Sequence, residues 1–212
     1  GILTSVGVHL GMRAGAEAAL GTTDLSGVTV GVIGTGKVGG RLIGHLIRDS
    51  AQVIALDPSA AARSSLYAEY PNAITWVDSL AELLAYRPQV LSPNALGGAI
   101  SETLVEDLVS AEVRLVCGGA NNQLAADRVG DLLDHAGIVY APDFCVNCGG
   151  VIQVAEELTG ADLDRARATV ERVFVTTRSV LERARGEGIT PVRAAEREAE
   201  ARIAASLPQG GR

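Results

Sequence analysis

Gly34-Thr35-Gly36-Lys37-Val38-Gly39 forms a GxGxxG run, and Asp57 stands 23 positions beyond Gly34. The run leaves an apolar, β-branched stretch (VTVGVI, 28–33) and opens a segment carrying Val38, Leu42, Ile43, Leu46 and Ile47 at helical spacing. That context gives each glycine a task. Gly34 allows the sharp turn, Gly36 lets the main chain approach a pyrophosphate, and Gly39 lets the helix pack close to the strand. The helix amino terminus adds unpaired N–H groups and a positive dipole end for the anion. Asp57 ends the next apolar stretch, QVIALD, where its carboxylate can accept hydrogen bonds from both hydroxyls of a ribose. The chemistry indicated is dinucleotide binding; the alternative is glycines that serve only turns and packing.

An overlapping phosphate motif fails. Gly31 to Lys37 matches GxxxxGK, but Val38 stands where a nucleotide hydrolase needs Ser or Thr for magnesium. Asp57 also bears on the choice of cofactor, because a 2'-phosphate beside it meets like-charge repulsion and no arginine directly follows. Arg63 on the next helix is the cation within reach. NAD is expected rather than NADP.

Three more clusters of glycine or asparagine follow expected strand ends: PNALGG (93–98), CGGANNQL (117–124) and PDFCVNCGG (142–150). In a doubly wound sheet such loops converge on the cofactor edge, where asparagines and bare backbone can bind ribose hydroxyls and a carboxamide. Cys145 and Cys148 form a single CxxC pair, short of the four ligands of a structural zinc site, and no histidine adds a ligand pattern. Small buried thiols are expected, and no metal. Asp143 is the best-placed acid, with a turn or capping role more natural than proton transfer. No nucleophile–His–acid set is present, so the sequence offers a cofactor cradle without a catalytic residue of its own.

These residues need a frame. The 212 residues are 47% hydrophobic, enough for a sizeable core, and the 25 glycines exceed the usual share of about 7%. A net charge of -7 disfavours nucleic acid, no apolar run reaches bilayer length, and three cysteines cannot build a disulfide framework. A cytoplasmic location is expected. The pattern begins with a helix over about 5–20, capped by Thr4 or Ser5 and ended by Gly21. Strands at 28–33 and 52–57 follow, with helices at about 59–70 and 79–86. QVLSP, EVRLV and GIVYA read as further strands, separated by the helical patterns ISETLVEDLV and NQLAADRVGDLLDHAG. This βα alternation predicts an α/β fold, a doubly wound, mostly parallel sheet of Rossmann type with flanking terminal helices. After about 149 the pattern is helical: a stripe from Leu163 through Val170, Val173, Thr177 and Val180 to Ala184, a break at GEGITP, and a last helix from Pro191 with Ala195, Ala199, Ile203 and Leu207. Residues 1–212 are thus expected as one dinucleotide-binding domain, its core at about 22–148 and its C-terminal helices, about 149–207, packed on it.

Taken together, TSVGVHLGMRAG, GVIGTGKVGG, ALGG, GGANNQLA and APDFCVNCGGVIQVAEEL resemble the cofactor-binding half of the leucine, valine and phenylalanine dehydrogenases, within the glutamate dehydrogenase superfamily. The motifs occur in order over nearly the whole chain. The resemblance implies NAD-dependent oxidative deamination of an apolar L-amino acid to a 2-oxo acid and ammonia, reversibly. It implies that Thr4 lies near the nicotinamide carboxamide, Gly34 to Gly39 hold pyrophosphate, Asp57 takes the adenosine ribose, and Ala95 and Leu96 line the dinucleotide path. Asn121 or Asn122 approaches the nicotinamide ribose, and Asn147 faces nicotinamide and the substrate amino group. Thr176 and Ser179, on the long helix, are candidates for the substrate side-chain pocket. In that family the catalytic lysines and aspartate belong to an amino-terminal domain that has no counterpart in these residues. The expectations are an amino-acid substrate met through such a domain, a homo-oligomer, and no turnover by these residues alone. A freestanding NAD-binding or sensory protein is the alternative.

Overall fold

The computed structural model describes residues 1–159 and 162–206. Six parallel strands form one sheet in the order β3-β2-β1-β4-β5-β6: β1 Thr29–Ile33, β2 Gln52–Leu56, β3 Ile74–Val77, β4 Val90–Pro93, β5 Leu115–Val116 and β6 Val139–Tyr140. The order reverses between β1 and β4, whose register pairs Ile33 with Pro93, so the loops after these strands diverge and leave a crevice at their carboxyl ends. Val30 and Val32 of β1 and Val90 and Leu91 of β4 are buried, as strands covered on both faces require.

Helix α1 (Ile2–Leu20) and helix α2 (Gly39–Arg48) cover one face, where Val8, Met12, Leu42 and Leu46 join the β1 and β2 valines in a buried cluster. Helix α3 (Ala60–Glu69) adds Leu66 to this cluster. The other face carries α4 (Leu80–Ala85), α5 (Glu102–Ser110) and α6 (Arg128–His135) over a second cluster that includes Leu83, Leu91, Leu108 and Leu133. The short α7 (Asp143–Val146) leads into α8 (Gly149–Thr159). Then α9 (Leu163–Glu187) lies along α1, and α10 (Pro191–Ser206) packs on α9. Val170 and Val173 of α9 meet Leu3 of α1, and Val180 and Ala184 meet Ala194 and Ala195 of α10. Gly188 in the left-handed conformation ends α9, and Pro191 opens α10, as the GEGITP break predicts.

Some boundaries differ from the sequence reading. Helix α1 begins at Ile2, with Gly1 at its cap position. Ser5 is inside the helix, its hydroxyl donating to the Ile2 carbonyl (2.7 Å), so neither Thr4 nor Ser5 caps it. Strand β3 goes unannounced in the sequence: it is a four-residue edge strand with partly exposed side chains, so its periodicity is weak. Helix α6 starts only at Arg128, because the preceding residues form a loop held by main-chain bonds from Ile100 and Ala125. Leu207 lies outside the described residues. No helix among the described residues is long and apolar enough to cross a membrane.

Candidate functional site

The glycine turn is built as its spacing requires. Gly34 has a φ of 87°, and a side chain there would also collide with Ala95. A Cβ on Gly39 would fall 2.0 Å from the Gly34 carbonyl oxygen, so close return of the chain over the turn depends on its absence. Gly36 differs: a Cβ there meets nothing within 4 Å, and the residue is exposed. The space above Gly36 is therefore open to a ligand. The Gly40 N–H donates to the Gly36 carbonyl (2.9 Å), so the N–H groups ahead of it belong to an uncapped first turn. Lys37 is exposed on this turn, and Val38 precedes α2 at the cap position.

At the end of β2, Asp57 is 8% exposed and held from two sides. Its Oδ2 accepts from the Thr35 N–H (2.6 Å) and hydroxyl (2.9 Å), and its Oδ1 accepts from the Ser59 N–H (2.8 Å). Burial alone would raise its pKa; the Thr35 and Ser59 hydrogen bonds and the Arg63 charge outweigh burial and hold the carboxyl below its ordinary value. Thr35 thus orients the carboxylate while Oδ1 keeps acceptor capacity. The Arg63 guanidinium is committed: Nε donates to the Asp57 carbonyl (2.7 Å), Nη2 donates to the Val77 carbonyl (2.7 Å) and faces Asp78 (2.8 Å), and the group stacks over Trp76. Asp57, Gly34, Ala95, Leu96, Arg63 and Asp78 line one cavity of about 640 Å³. Leu96 is 78% exposed, an apolar surface with no protein cover.

Across the switch point a second group assembles from three loops. The Asn147 side-chain amide donates to the Asn121 side-chain oxygen (2.7 Å). Asn122 takes a left-handed conformation (φ 51°), its N–H donating to Asp143 and its carbonyl accepting from the Gly98 N–H (2.7 Å). Asn94 stitches the ends of β4 and β5, donating to Ser92 and accepting from the Gly119 N–H (2.9 Å). Thr4 lies beside the start of α8, where a Cβ on Gly150 would be 3.5 Å from its hydroxyl oxygen.

Thr176 and Ser179 do not join it. Thr176 lines a separate cavity with Cys145 and Cys148, and the Ser179 hydroxyl donates to Glu198 of α10 (3.3 Å). On α8, which follows Asn147 in the chain, Val151 and Val154 are 73% and 55% exposed. Cys117 is fully buried. Burial, aided by the neighbouring Cys148, Glu198 and Asp143, pushes the Cys145 thiol up to about 12, and burial also raises Cys148, so all three remain thiols. Among the described residues no group of His, Cys, Asp or Glu could hold a metal.

Residues 59–205 match the glutamate/leucine/phenylalanine/valine dehydrogenase family. The chain belongs to this family. Family relatives include the valine dehydrogenase of Streptomyces coelicolor, 41% identical over 208 residues, covering 98% of this chain and 56% of the relative. The leucine dehydrogenase of Bacillus cereus is 37% identical over 208 residues, covering 95% of this chain and 54% of the relative. The chain thus spans about half the length of these curated relatives. The crystal structure of L-tryptophan dehydrogenase from Nostoc punctiforme superposes with a TM-score of 0.89 at 32% identity, over 96% of this chain and 60% of that one. Both the family and the crevice at the strand-order reversal agree with a cradle for a nicotinamide dinucleotide.

Proposed function

We propose that the chain is the NAD-binding part of an L-amino acid dehydrogenase that converts an apolar L-amino acid to its 2-oxo acid and ammonia, reversibly. The observation that carries this reading is the pairing of two half-sites across one switch point: the oriented Asp57 carboxylate on one side and the Asn121–Asn147 pair on the other. A Cβ on Gly36 meets nothing within 4 Å, which supports a place for the diphosphate at this turn. NAD fits better than NADP, because Asp57 and Asp78 both line the ribose cavity and the nearby guanidinium of Arg63 is engaged by two carbonyls and Asp78.

In this reading Asp57 accepts from the adenosine ribose, and the first turn of α2 holds the diphosphate. Asn121 and Asn147, with Thr4, orient the nicotinamide end and the substrate amino group. Ala95 and Leu96 line the path between. Val151 and Val154 give the substrate side chain an apolar wall, which favours an apolar amino acid. When bound, NAD supplies the hydride acceptor. Substrate must sit within about 3–3.5 Å of that acceptor, and deamination also needs a positioned acid or base. The only lysine, Lys37, is on the glycine turn, and Asp143 has both oxygens engaged. The proton-transfer groups therefore come from a substrate-holding domain outside these residues, and self-association of the complete enzyme belongs to the same proposal.

The test is NADH production from a panel of L-amino acids by the purified chain alone and joined to the substrate-holding domain of a valine or leucine dehydrogenase. Turnover of branched apolar amino acids is expected only in the joined form. Robust turnover by the chain alone would place the catalytic group within it. NAD binding with no turnover in either form would favour a freestanding binding protein.

A further inference from the structure

Asp143 is 8% exposed and sits at the first turn of α7, between β6 and the Asn147 loop. One carboxylate oxygen accepts from the Asn122 N–H (2.5 Å) and the other from the Tyr140 hydroxyl (3.0 Å). Tyr140 is 2% exposed at the end of β6, and burial, with the Asp143 charge beside it, raises its pKa, so its proton stays available for donation. Asn122 is one of the few non-glycine residues in the left-handed region, a conformation that costs free energy unless held. Its carbonyl receives the Gly98 N–H (2.7 Å), and a Cβ on Gly97 would fall 2.7 Å from the Asn121 carbonyl oxygen, so the two loops lie in close contact. The main chain of α7 closes with the Asn147 N–H donating to the Asp143 carbonyl (2.8 Å). Asp143 therefore touches Asn122, next to Asn121, through its side chain and Asn147 itself through its main chain.

We infer that Asp143, braced by Tyr140, is a positioning residue that sets the nicotinamide end of the site by holding the Asn122 turn against the Gly97–Gly98 loop and registering Asn121 against Asn147. It acts as a hydrogen-bond acceptor, its two oxygens serving Asn122 and Tyr140. The inference rests on the NAD reading above for its functional half. Its structural half stands without any ligand.

The experiment compares D143A, D143N and Y140F in two readouts. The first is amide hydrogen exchange at Asn122 and Gly98 in the ligand-free chain. The second is affinity for NAD against ADP, which reaches only the adenosine and diphosphate side. D143A should lose protection at Asn122 and lower NAD affinity about fivefold, the scale of one hydrogen bond, with ADP binding unchanged. D143N keeps an oxygen that can accept from the Asn122 N–H and should recover most of both; Y140F should show a smaller loss of the same kind. Equal losses of NAD and ADP, unchanged Asn122 exchange in D143A, or D143N as impaired as D143A would each overturn the positioning role. Failure of the unaltered chain to bind NAD would instead overturn the cofactor reading and the functional half with it, while the ligand-free exchange still decides the structural half.

Discussion

The two halves of the crevice are built differently. On the Asp57 side, proposed above to take the adenosine ribose, Thr35, Asp57 and Ser59 come from two consecutive βα turns, and every hydrogen bond to the Asp57 carboxylate comes from a residue just after β1 or β2. On the Asn121–Asn147 side, proposed above to take the nicotinamide end, the bonds Asn147–Asn121, Asn122–Asp143 and Gly98–Asn122 span loops after three different strands. The first half is local and rigid by its own turn chemistry. The second depends on the sheet being assembled before its loops can meet. Perturbations should therefore be sharp and confined on the adenosine side, and spread between loops on the other.

The largest expected effect separates binding from folding within one turn. Gly36→Val should lower affinity for both NAD and ADP about 100-fold, by filling the open space above the turn, with little loss of stability. Gly39→Ala should instead destabilise the fold by about 3 kcal/mol, because its Cβ meets the Gly34 carbonyl. Calorimetric titration beside thermal melts distinguishes the two; a G36V chain that still binds NAD normally breaks the diphosphate assignment.

Next comes Asp57→Ser. Losing a charged acceptor for ribose should lower NAD affinity about tenfold, and adding an arginine nearby should turn preference toward NADP. Asn147→Ala should do less, about threefold to fivefold on NAD and nothing on ADP, because it removes a single contact at the far end. Equal effects of Asn147→Ala on both nucleotides would erase the distinction between the halves.

This distinction also explains what the sequence made legible. GxGxxG with Asp57 at its offset is a local code, and strands β1, β2 and β4 are buried runs, so the glycine turn beside Asp57 and the fold class could be read directly. Asp143 and Asn94 tie separate loops together through contacts with residues 21 and 25 positions away, which no periodicity reports. Edge strand β3 and the late start of α6 were hidden for a related reason: exposure and loop hydrogen bonds decide them. Thr176 and Ser179 are polar residues on a helix whose facing partner, α10, cannot be inferred from spacing.

The smallest effect is on stability and lies on α2. Burial, together with the charges of His9 and Arg48 and against that of Asp49, lowers the His45 pKa from 6.5 to about 4. The unfolded chain then binds more protons than the folded one between these values, so stability should fall as pH drops from 6.5 toward 4. His45→Gln should flatten that slope, measured by denaturant melts across the window. An unaltered slope would place the acid sensitivity elsewhere.

The most direct test of the whole account is titration of the purified chain with NAD and with NADP under the same conditions. The account predicts saturable one-site binding of NAD and NADP binding at least about tenfold weaker, the repulsion of a 2'-phosphate by Asp57 being uncompensated. Equal or tighter binding of NADP, or no binding of either nucleotide, would contradict it.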